Sequence, residues 1–300
     1  MCQVKMREFP TKLFIYTAFL FCSLAFSVNV GAAEIQEILR GNITVNADYR
    51  PGDQSLPAVL ILHGFMTTHH FNLVQIIANE LAEQQYSVLA PTLSLNINDR
   101  KAGLDCEAIH THNMQDDLSE IGWWIHWLRQ KGHQKIILVG HSTGSMQLAA
   151  YAVGAENAKQ GMENVTKLIL TAPAYYSGYP LDEGHLQEES QRARKLLKSG
   201  SNELAKYHVS YCKGNYTTTA AAYLSYMTWT NEKLVNTFKS IKTPMIIILG
   251  EMDYRYGKDW AKRLNANRLS VKIVKGANHF FDSPYEFDFL DILLGQLRME

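Results

Sequence analysis

The sequence predicts an α/β fold in which a mainly parallel β-sheet is covered by helices on both faces. Short apolar runs of strand length alternate along the chain with longer segments whose apolar residues recur at helical spacing. Runs such as 58–62 (AVLIL) and 245–249 (MIIIL) are apolar throughout, which is typical of parallel strands buried on both sides. Ligands bind such sheets beyond the carboxyl ends of the strands, so functional residues are expected directly after each run.

The composition is that of a globular protein of one large or two ordinary domains. The 300 residues are 46% hydrophobic and 19% charged, and they include 29 basic and 29 acidic side chains. A dedicated nucleic-acid binder usually carries a basic excess, so no nucleic-acid partner is expected. Four cysteines are too few for a scaffold built on disulfides. An enzyme or a binding domain remains.

Residues 1–33 read as a signal peptide. Three basic residues precede the uncharged, mostly apolar stretch 13–30, and the small residues 31–33 (GAA) follow it. This pattern predicts cleavage before Glu34 and export to the periplasm or the medium. The alternative is an uncleaved membrane anchor formed by residues 13–30, whose length is close to the minimum for a membrane span. No stable membrane partner is expected unless that segment is retained.

From residue 43 onward, strand and helix patterns follow one another. The first strand alternates polar and apolar residues, the later ones are apolar runs, and each helix carries an apolar stripe. Strands are predicted at 43–49, 58–62, 87–90, 135–139, 167–170, 245–249 and 271–274. Helices are predicted at 73–81, 118–128, 146–153, near 256–264 and at 287–297.

The strongest motif is the sequence 140–144, Gly-His-Ser-Thr-Gly, centred on Ser142. A G-x-S-x-G string alone is weak evidence, but this one directly follows the strand 135–139 and opens a helix. That setting is typical of a nucleophile elbow, a tight turn that lifts the serine hydroxyl above the sheet edge. The alternative is a glycine-rich turn whose serine only caps the helix.

Candidate partners for Ser142 follow the last two predicted strands. A serine hydroxyl needs a base to become a nucleophile, and the base must be oriented by a third group. His279 follows the strand 271–274 and is the candidate base, and Asp253 follows the strand 245–249 and is the candidate acid that orients it. Glu251 is the main rival acid, whereas Asp282 lies too close to His279 in sequence to be favoured.

An oxyanion hole is expected from two backbone N–H groups. The strand 58–62 ends in His63, Gly64 and Phe65, and the absence of a side chain at Gly64 allows a close turn beside the nucleophile. The N–H of Phe65 and the N–H of Thr143, one residue after Ser142, are the predicted donors.

These motifs resemble those of the α/β-hydrolase superfamily. The likeness rests on the turn 63–65, the elbow 140–144, the segment 250–253 and the segment 276–280, within roughly 43–176 and 240–297. It implies an eight-stranded, mainly parallel sheet and, with a serine nucleophile, hydrolysis of esters or related acyl compounds. The chain lacks the triple-glycine oxyanion motif of one esterase branch. Serine at position 142, instead of aspartate, argues against the dehalogenase and epoxide-hydrolase branches.

Residues 177–240 lie where the superfamily inserts lids, and they are predicted to form a helical cap. A charged helix is expected at 187–198 and an apolar, aromatic one at 218–229. The aromatic residues here are candidates for a substrate pocket that suits a medium-sized apolar ligand. The alternative for each of them is that it only seats the cap on the core. The candidate substrate-binding residues are Tyr176, Tyr223, Tyr226 and Trp229, with Tyr175 and Met227 beside them.

Neither a metal nor a cofactor is expected. The doublet His69-His70 and the pair His110 and His112 lack a recognised spacing of cysteine or carboxylate ligands around them. Removal of residues 1–33 leaves Cys106 and Cys212, and an exported protein can bridge them. Two unpaired buried thiols are an equal alternative, since the sequence does not give their separation.

The function predicted from the sequence is an exported serine hydrolase that cleaves a small carboxylic ester through an acyl-enzyme. Ser142, His279 and Asp253 form its catalytic triad. Two alternatives stay open. One is an amidase or peptidase that uses the same triad, and the other is a non-catalytic binding protein on a hydrolase scaffold.

Overall fold

The computed structural model describes residues 33–39, 41–177, 183–255 and 259–298. The predicted leader, apart from Ala33, and the alternative anchor at 13–30 lie outside the described residues. The strands are β1 (Ala33–Ile38), β2 (Thr44–Arg50), β3 (Ala58–Leu62), β4 (Val88–Thr92), β5 (Ile136–His141), β6 (Val165–Thr171), β7 (Leu204–Val209), β8 (Cys212–Thr219), β9 (Met245–Gly250) and β10 (Val271–Val274). The helices are α1 (Asn72–Glu83), α2 (Met114–Gln130), α3 (Thr143–Ala158), α4 (Glu183–Lys198), α5 (Ala220–Met227), α6 (Asn231–Ser240), α7 (Trp260–Ala266) and α8 (Glu286–Arg298).

Eight of the strands form one sheet in the order β1-β2-β4-β3-β5-β6-β9-β10. The strand β2 runs antiparallel to its neighbours β1 and β4, and all other neighbours in this sheet are parallel. The prediction of a mainly parallel eight-stranded sheet flanked by helices is confirmed.

The apolar runs of the central strands serve two separate cores. In β3, Leu60 and Leu62 pack on the side of the sheet that carries α2 and α3, whereas Val59 and Ile61 pack on the side that carries α1 and α8. Successive side chains of a strand point to opposite faces, so a strand covered on both sides must be apolar at every position. This is why the runs carry no alternation.

The helix stripes are largely buried, although Phe287 at the start of α8 is exposed, and several helix ends differ from the prediction. The helix α2 begins at Met114, earlier than expected, because Asn113 and Asp116 form a reciprocal capping box at its start. The helix α3 begins at Thr143, directly after Ser142, and α7 begins at Trp260. In the described ranges between residues 33 and 298, no helix combines the length and hydropathy that crossing a bilayer requires.

The edge strand β1 was not predicted. Its sequence, AEIQEI, contains no apolar run, and its side chains are partly or fully exposed. It forms because its backbone pairs antiparallel with β2, for example Glu34 opposite Asp48. An edge strand with one solvated face needs few apolar residues, so its sequence signal is weak.

The described part of the segment between β6 and β9 contains the helices of the predicted cap and, in addition, two strands that were not predicted. Three helices, α4, α5 and α6, accompany a two-stranded antiparallel hairpin of β7 and β8. The hairpin strands are rich in polar residues, and they bury alternate side chains such as Cys212 and Tyr216. Sequence analysis missed the hairpin and α6 because neither contains a continuous apolar run.

The hairpin is fastened to the loop between β4 and α2. Cys106 in that loop forms a disulfide with Cys212 at the start of β8. The N–H of His110 also donates a 2.9 Å hydrogen bond to the carbonyl oxygen of Thr217. Of the two alternatives for the cysteines, the structure contains the bridge.

Candidate active site

Ser142 occupies a sharp turn between β5 and α3. Its backbone dihedrals are φ 57° and ψ −125°, a strained conformation for a residue with a side chain. The turn also needs a close approach of α3 to the end of β3. A Cβ atom on Gly144 would lie 2.3 Å from the carbonyl oxygen of His63, so only glycine fits there. The motif therefore has the geometry that a nucleophile elbow requires.

Hydrogen bonds from the end of β6 hold this strained turn. The N–H of Ser142 donates to the carbonyl oxygen of Thr171 at 3.0 Å, and the N–H of Ala174 donates to the carbonyl oxygen of Ser142 at 3.1 Å. The hydroxyl of Ser145 lies 2.7 Å from the carbonyl oxygen of Gly140 and 3.0 Å from that of Thr171. Strain of this kind persists where the surroundings define the conformation several times over.

The structure brings the three predicted triad residues together. His279 Nε2 lies 3.0 Å from Ser142 Oγ, and His279 Nδ1 lies 2.7 Å from Asp253 Oδ2. The side chains of His279 and Asp253 are buried, with 3% and 5% of their surface exposed. With Asp253 ionised, Nδ1 carries the proton and donates to the carboxylate, which leaves Nε2 free to accept a proton from Ser142.

The rival carboxylates have other partners. Glu251 accepts a 3.0 Å hydrogen bond from the N–H of Gly276. Asp282 accepts a 2.9 Å hydrogen bond from the side-chain amide of Asn278. Both therefore fasten turns next to the site, and the carboxylate that contacts the imidazole belongs to Asp253.

Burial favours the neutral form of the His279 imidazole. Burial lowers the pKa of His279 below its usual 6.5, and the hydrogen bond and negative charge of Asp253 oppose this in part. The positive charge of Arg255 lowers the same pKa further. A neutral imidazole is the form that can accept a proton from a serine hydroxyl.

The two predicted oxyanion donors flank Ser142. A Cβ atom on Gly64 would lie 3.0 Å from Ser142 Cβ, so the peptide between Gly64 and Phe65 passes directly beside the nucleophile. Thr143 is the first residue of α3, where an N–H has no acceptor inside its own helix. The backbone of both predicted donors therefore lies next to Ser142.

His63, which the sequence analysis did not single out as a site residue, holds the turn that contains Gly64. Its Nδ1 lies 2.8 Å from the carbonyl oxygen of Gly64, and its Nε2 accepts a 3.1 Å hydrogen bond from the N–H of Leu93. Burial, and then the charge of Arg100, lower the pKa of His63 to about 3. The ring is therefore neutral, with one donor and one acceptor fixed, and it braces the backbone of the turn.

A family model described as the alpha/beta hydrolase fold matches residues 57–278. The chain belongs to the α/β-hydrolase family. The match covers most of the chain and includes the elbow and the candidate acid. No curated protein matches the chain.

Solved structures of this family share the fold. The α/β-hydrolase GrgF from Penicillium sp. sh18 is 16% identical with a TM-score of 0.64, over 89% of this chain and 97% of that one. Est1E from Butyrivibrio proteoclasticus is 15% identical with a TM-score of 0.60, over 90% and 100%. A monoacylglycerol lipase from Paleococcus ferrophilus is 14% identical with a TM-score of 0.58, over 84% and 98%. These structures show the shared fold, and the family match supports hydrolase activity.

A cavity of about 440 Å³ opens beside Ser142 in this hydrolase. Four aromatic side chains and one cation dominate its walls, and the hairpin contributes Tyr211 from its turn. Such a cavity suits an apolar group of moderate size. Its lining residues are Gly64, Phe65, Thr67, Phe71, His141, Ser142, Ser210, Tyr211, Arg255 and Phe280.

The predicted substrate-binding residues lie elsewhere, and none of the four is among the residues that line this cavity. Tyr176 packs edge-on against Phe65, with ring centroids 5.5 Å apart. Tyr223 stacks on Tyr207, and the hydroxyl of Tyr226 donates a 2.7 Å hydrogen bond to Asp117. Trp229 packs under the ammonium group of Lys233. The contacts of Tyr176 and Tyr226 reach residues outside the segment 177–240, whereas those of Tyr223 and Trp229 lie within it.

Sequence reasoning missed several of the residues that line the cavity, although Ser142 and Phe65 were among its candidates. Phe280 directly follows His279, and Phe71 follows the turn after β3 closely, so adjacency to the motifs could have indicated both. Tyr211 lies in the turn of an unpredicted hairpin and gave no such signal.

A second cavity of about 850 Å³ lies between α2 and α3 and contains none of the triad residues.

Proposed function

We propose that this hydrolase is a serine esterase that uses Ser142, His279 and Asp253. The observation that carries the proposal is the buried chain of contacts from Asp253 Oδ2 to His279 and on to Ser142 Oγ, at 2.7 and 3.0 Å. In this arrangement the base is oriented by Asp253 and lies within reach of the nucleophile's proton.

In the proposed reaction, Ser142 Oγ attacks the ester carbonyl carbon while its proton passes to His279 Nε2. The negative charge on the carbonyl oxygen accepts hydrogen bonds from the N–H groups of Phe65 and Thr143. The carbon–oxygen bond to the alcohol then breaks, and His279 returns the proton to that leaving group. His279 next takes a proton from water, whose oxygen attacks the acyl carbon. The bond from that carbon to Ser142 Oγ then breaks, and His279 returns the proton to Oγ as the acid leaves. Asp253 stabilises the imidazolium of His279 in both halves of the reaction.

The size and the apolar walls of the cavity favour a small-molecule ester with a compact apolar or aromatic group as the substrate. Its walls carry Phe65, Phe71, Tyr211 and Phe280, and its volume of about 440 Å³ admits only part of a large polymer. We further propose that the protein is exported, because the segment 1–33 has the pattern of a signal peptide and the chain contains a disulfide.

The test uses a fluorophosphonate probe and a substrate panel. We expect the probe to label the folded wild-type protein and the Ser119→Ala variant, whose altered serine is exposed on α2, but not the Ser142→Ala variant. On nitrophenyl esters of graded acyl length, Ser142→Ala should lose at least about 10⁴-fold in kcat. Labelling of folded Ser142→Ala, or its unchanged turnover, would refute the proposal. Faster cleavage of matched anilides than of esters would favour the amidase instead.

A further inference from the structure

Away from the triad, three potential metal ligands meet where the edge strand β1 passes the loop after β3. Glu34 lies in β1, and His69 and His70 lie in the loop. One ligand atom from each residue lies within 4.8 Å of the ligand atoms of the other two. The sequence showed only the histidine doublet, because the carboxylate is supplied by a distant and unpredicted strand.

A second observation at this place is a buried carboxylate oxygen. Asp48 lies directly opposite Glu34 in the antiparallel ladder of β1 and β2, so the two side chains share a face of the sheet. Asp48 Oδ2 accepts hydrogen bonds from Arg50, but Asp48 Oδ1 has no hydrogen-bond partner among the described residues. Asp48 is only 7% exposed, and a buried charged oxygen without a partner is costly. A cation at this face would give that oxygen a favourable interaction.

The orientation of His69 fits a metal ligand. Its Nδ1 lies 2.7 Å from Thr92 Oγ1, which leaves Nε2 as the ring atom available to a cation. Metal-binding histidines commonly donate their second ring N–H to such a partner, which fixes the tautomer and the ring direction. His70 is exposed beside it, with the two ring centroids 4.0 Å apart. Rotation of the exposed side chains of Glu34 and His70 can adjust the ligand separations without disturbing the core.

We propose that Glu34, His69 and His70 bind one divalent transition-metal ion, with Zn²⁺ as the best match, and that Asp48 Oδ1 faces the same ion. Two imidazoles and a carboxylate favour zinc over calcium or magnesium, which prefer all-oxygen sites. The ion would join the edge strand β1 to the loop that continues into Phe71, a residue of the cavity wall. The predicted cleavage before Glu34 would keep this ligand in the mature chain. The site is independent of the proposed esterase reaction.

The test measures Zn²⁺ binding by the purified full chain after removal of metals with a chelator. Zn²⁺ is titrated in competition with a chromophoric chelator, and the melting temperature is recorded with and without Zn²⁺. We expect one saturable site in the wild type and a higher melting temperature with Zn²⁺. His70→Ala should weaken binding at least 100-fold and remove the shift, and Glu34→Gln should weaken binding at least about 10-fold. Both changed residues are exposed, so the variants should fold.

Two further variants distinguish this site from adventitious binding. His126→Ala removes an exposed histidine on α2 and should leave both affinity and shift unchanged. Thr92→Val removes the hydroxyl that contacts His69 and should weaken binding by about 10- to 100-fold. Equal affinity in the wild type and His70→Ala would overturn the proposal, as would binding without a 1:1 end point. Fluorophosphonate labelling of Ser142 reports on the esterase proposal separately.

Discussion

The ends of the parallel strands and the segment between β6 and β9 build the same cavity in different ways. Ser142 and His279 lie in turns that short sequence motifs define and that backbone hydrogen bonds hold. Tyr211 reaches the cavity from a hairpin that a disulfide and a backbone hydrogen bond attach to the loop between β4 and α2. The strand ends hold the proposed catalytic side chains within hydrogen-bond distance of one another. The cap contributes part of the cavity wall, through contacts that many sequences could provide. The two regions should therefore respond differently to substitution.

The largest expected effect is at the strand ends. Asp253→Asn should lower kcat by about 10⁴-fold, because an amide can no longer hold the tautomer of His279 that accepts the proton of Ser142. Glu251→Gln is the matched control, since Glu251 binds the N–H of Gly276 and should change kcat only a few-fold. Steady-state kinetics on one nitrophenyl ester compare the variants. A greater loss in Glu251→Gln than in Asp253→Asn would mean that the acid is misassigned.

The cap should respond in stability instead. Replacement of both Cys106 and Cys212 by serine should lower the free energy of unfolding by roughly 2–5 kcal/mol, because the bridge restricts the unfolded chain. Neither cysteine lines the cavity, so kcat should fall far less than in Asp253→Asn. Urea unfolding of the variant and of reduced wild type should give matching curves. An unchanged free energy of unfolding would show that the bridge contributes no stability.

The candidate catalytic residues at the strand ends could be predicted from the sequence because the turns that carry them depend on residues nearby in the chain. The turn at Ser142 needs glycine at position 144, and the base must follow a strand. Each requirement produces a short motif that is visible in the sequence. The cap and the edge strand depend on partners far away in the chain. Cys212 pairs with Cys106, and Glu34 pairs with Asp48, and neither contact follows from spacing. Aromatic residues in the cap are equally suited to packing and to binding, so composition alone does not decide which of them face the cavity.

A smaller effect should separate the aromatic residues that line the cavity from those that seat the cap. Tyr211→Ala removes a side chain that packs against Phe65 at the cavity wall, and kcat/KM should fall by roughly 5- to 10-fold, mainly through KM. Tyr223→Phe keeps the stacking on Tyr207 and should leave KM unchanged. Kinetics on esters of increasing acyl length would show the difference. An equal rise of KM in both variants would return Tyr223 to the list of pocket residues.

The subtlest effect is a shift of the pH profile by Arg255, which lines the cavity and interacts with the triad. Burial and then the charge of Arg255 lower the pKa of His279, and only the neutral imidazole accepts the proton of Ser142. The wild type should therefore keep kcat/KM constant as the pH falls, until the pH passes below that lowered pKa. Arg255→Gln removes a positive charge, so the pKa of His279 should rise and the acid limb should move to higher pH.

The matched control for Arg255 is Lys262→Gln, which removes an exposed cation on α7. Its profile of kcat/KM against pH should coincide with that of the wild type. The position of the acid limb is the readout, because a loss of contact with substrate changes the height of the profile and leaves its midpoint in place. A limb that stays fixed in Arg255→Gln would mean that this cation acts on the substrate alone. Movement to lower pH would contradict the assignment of His279 as the base, because a base loses its proton more readily beside a positive charge.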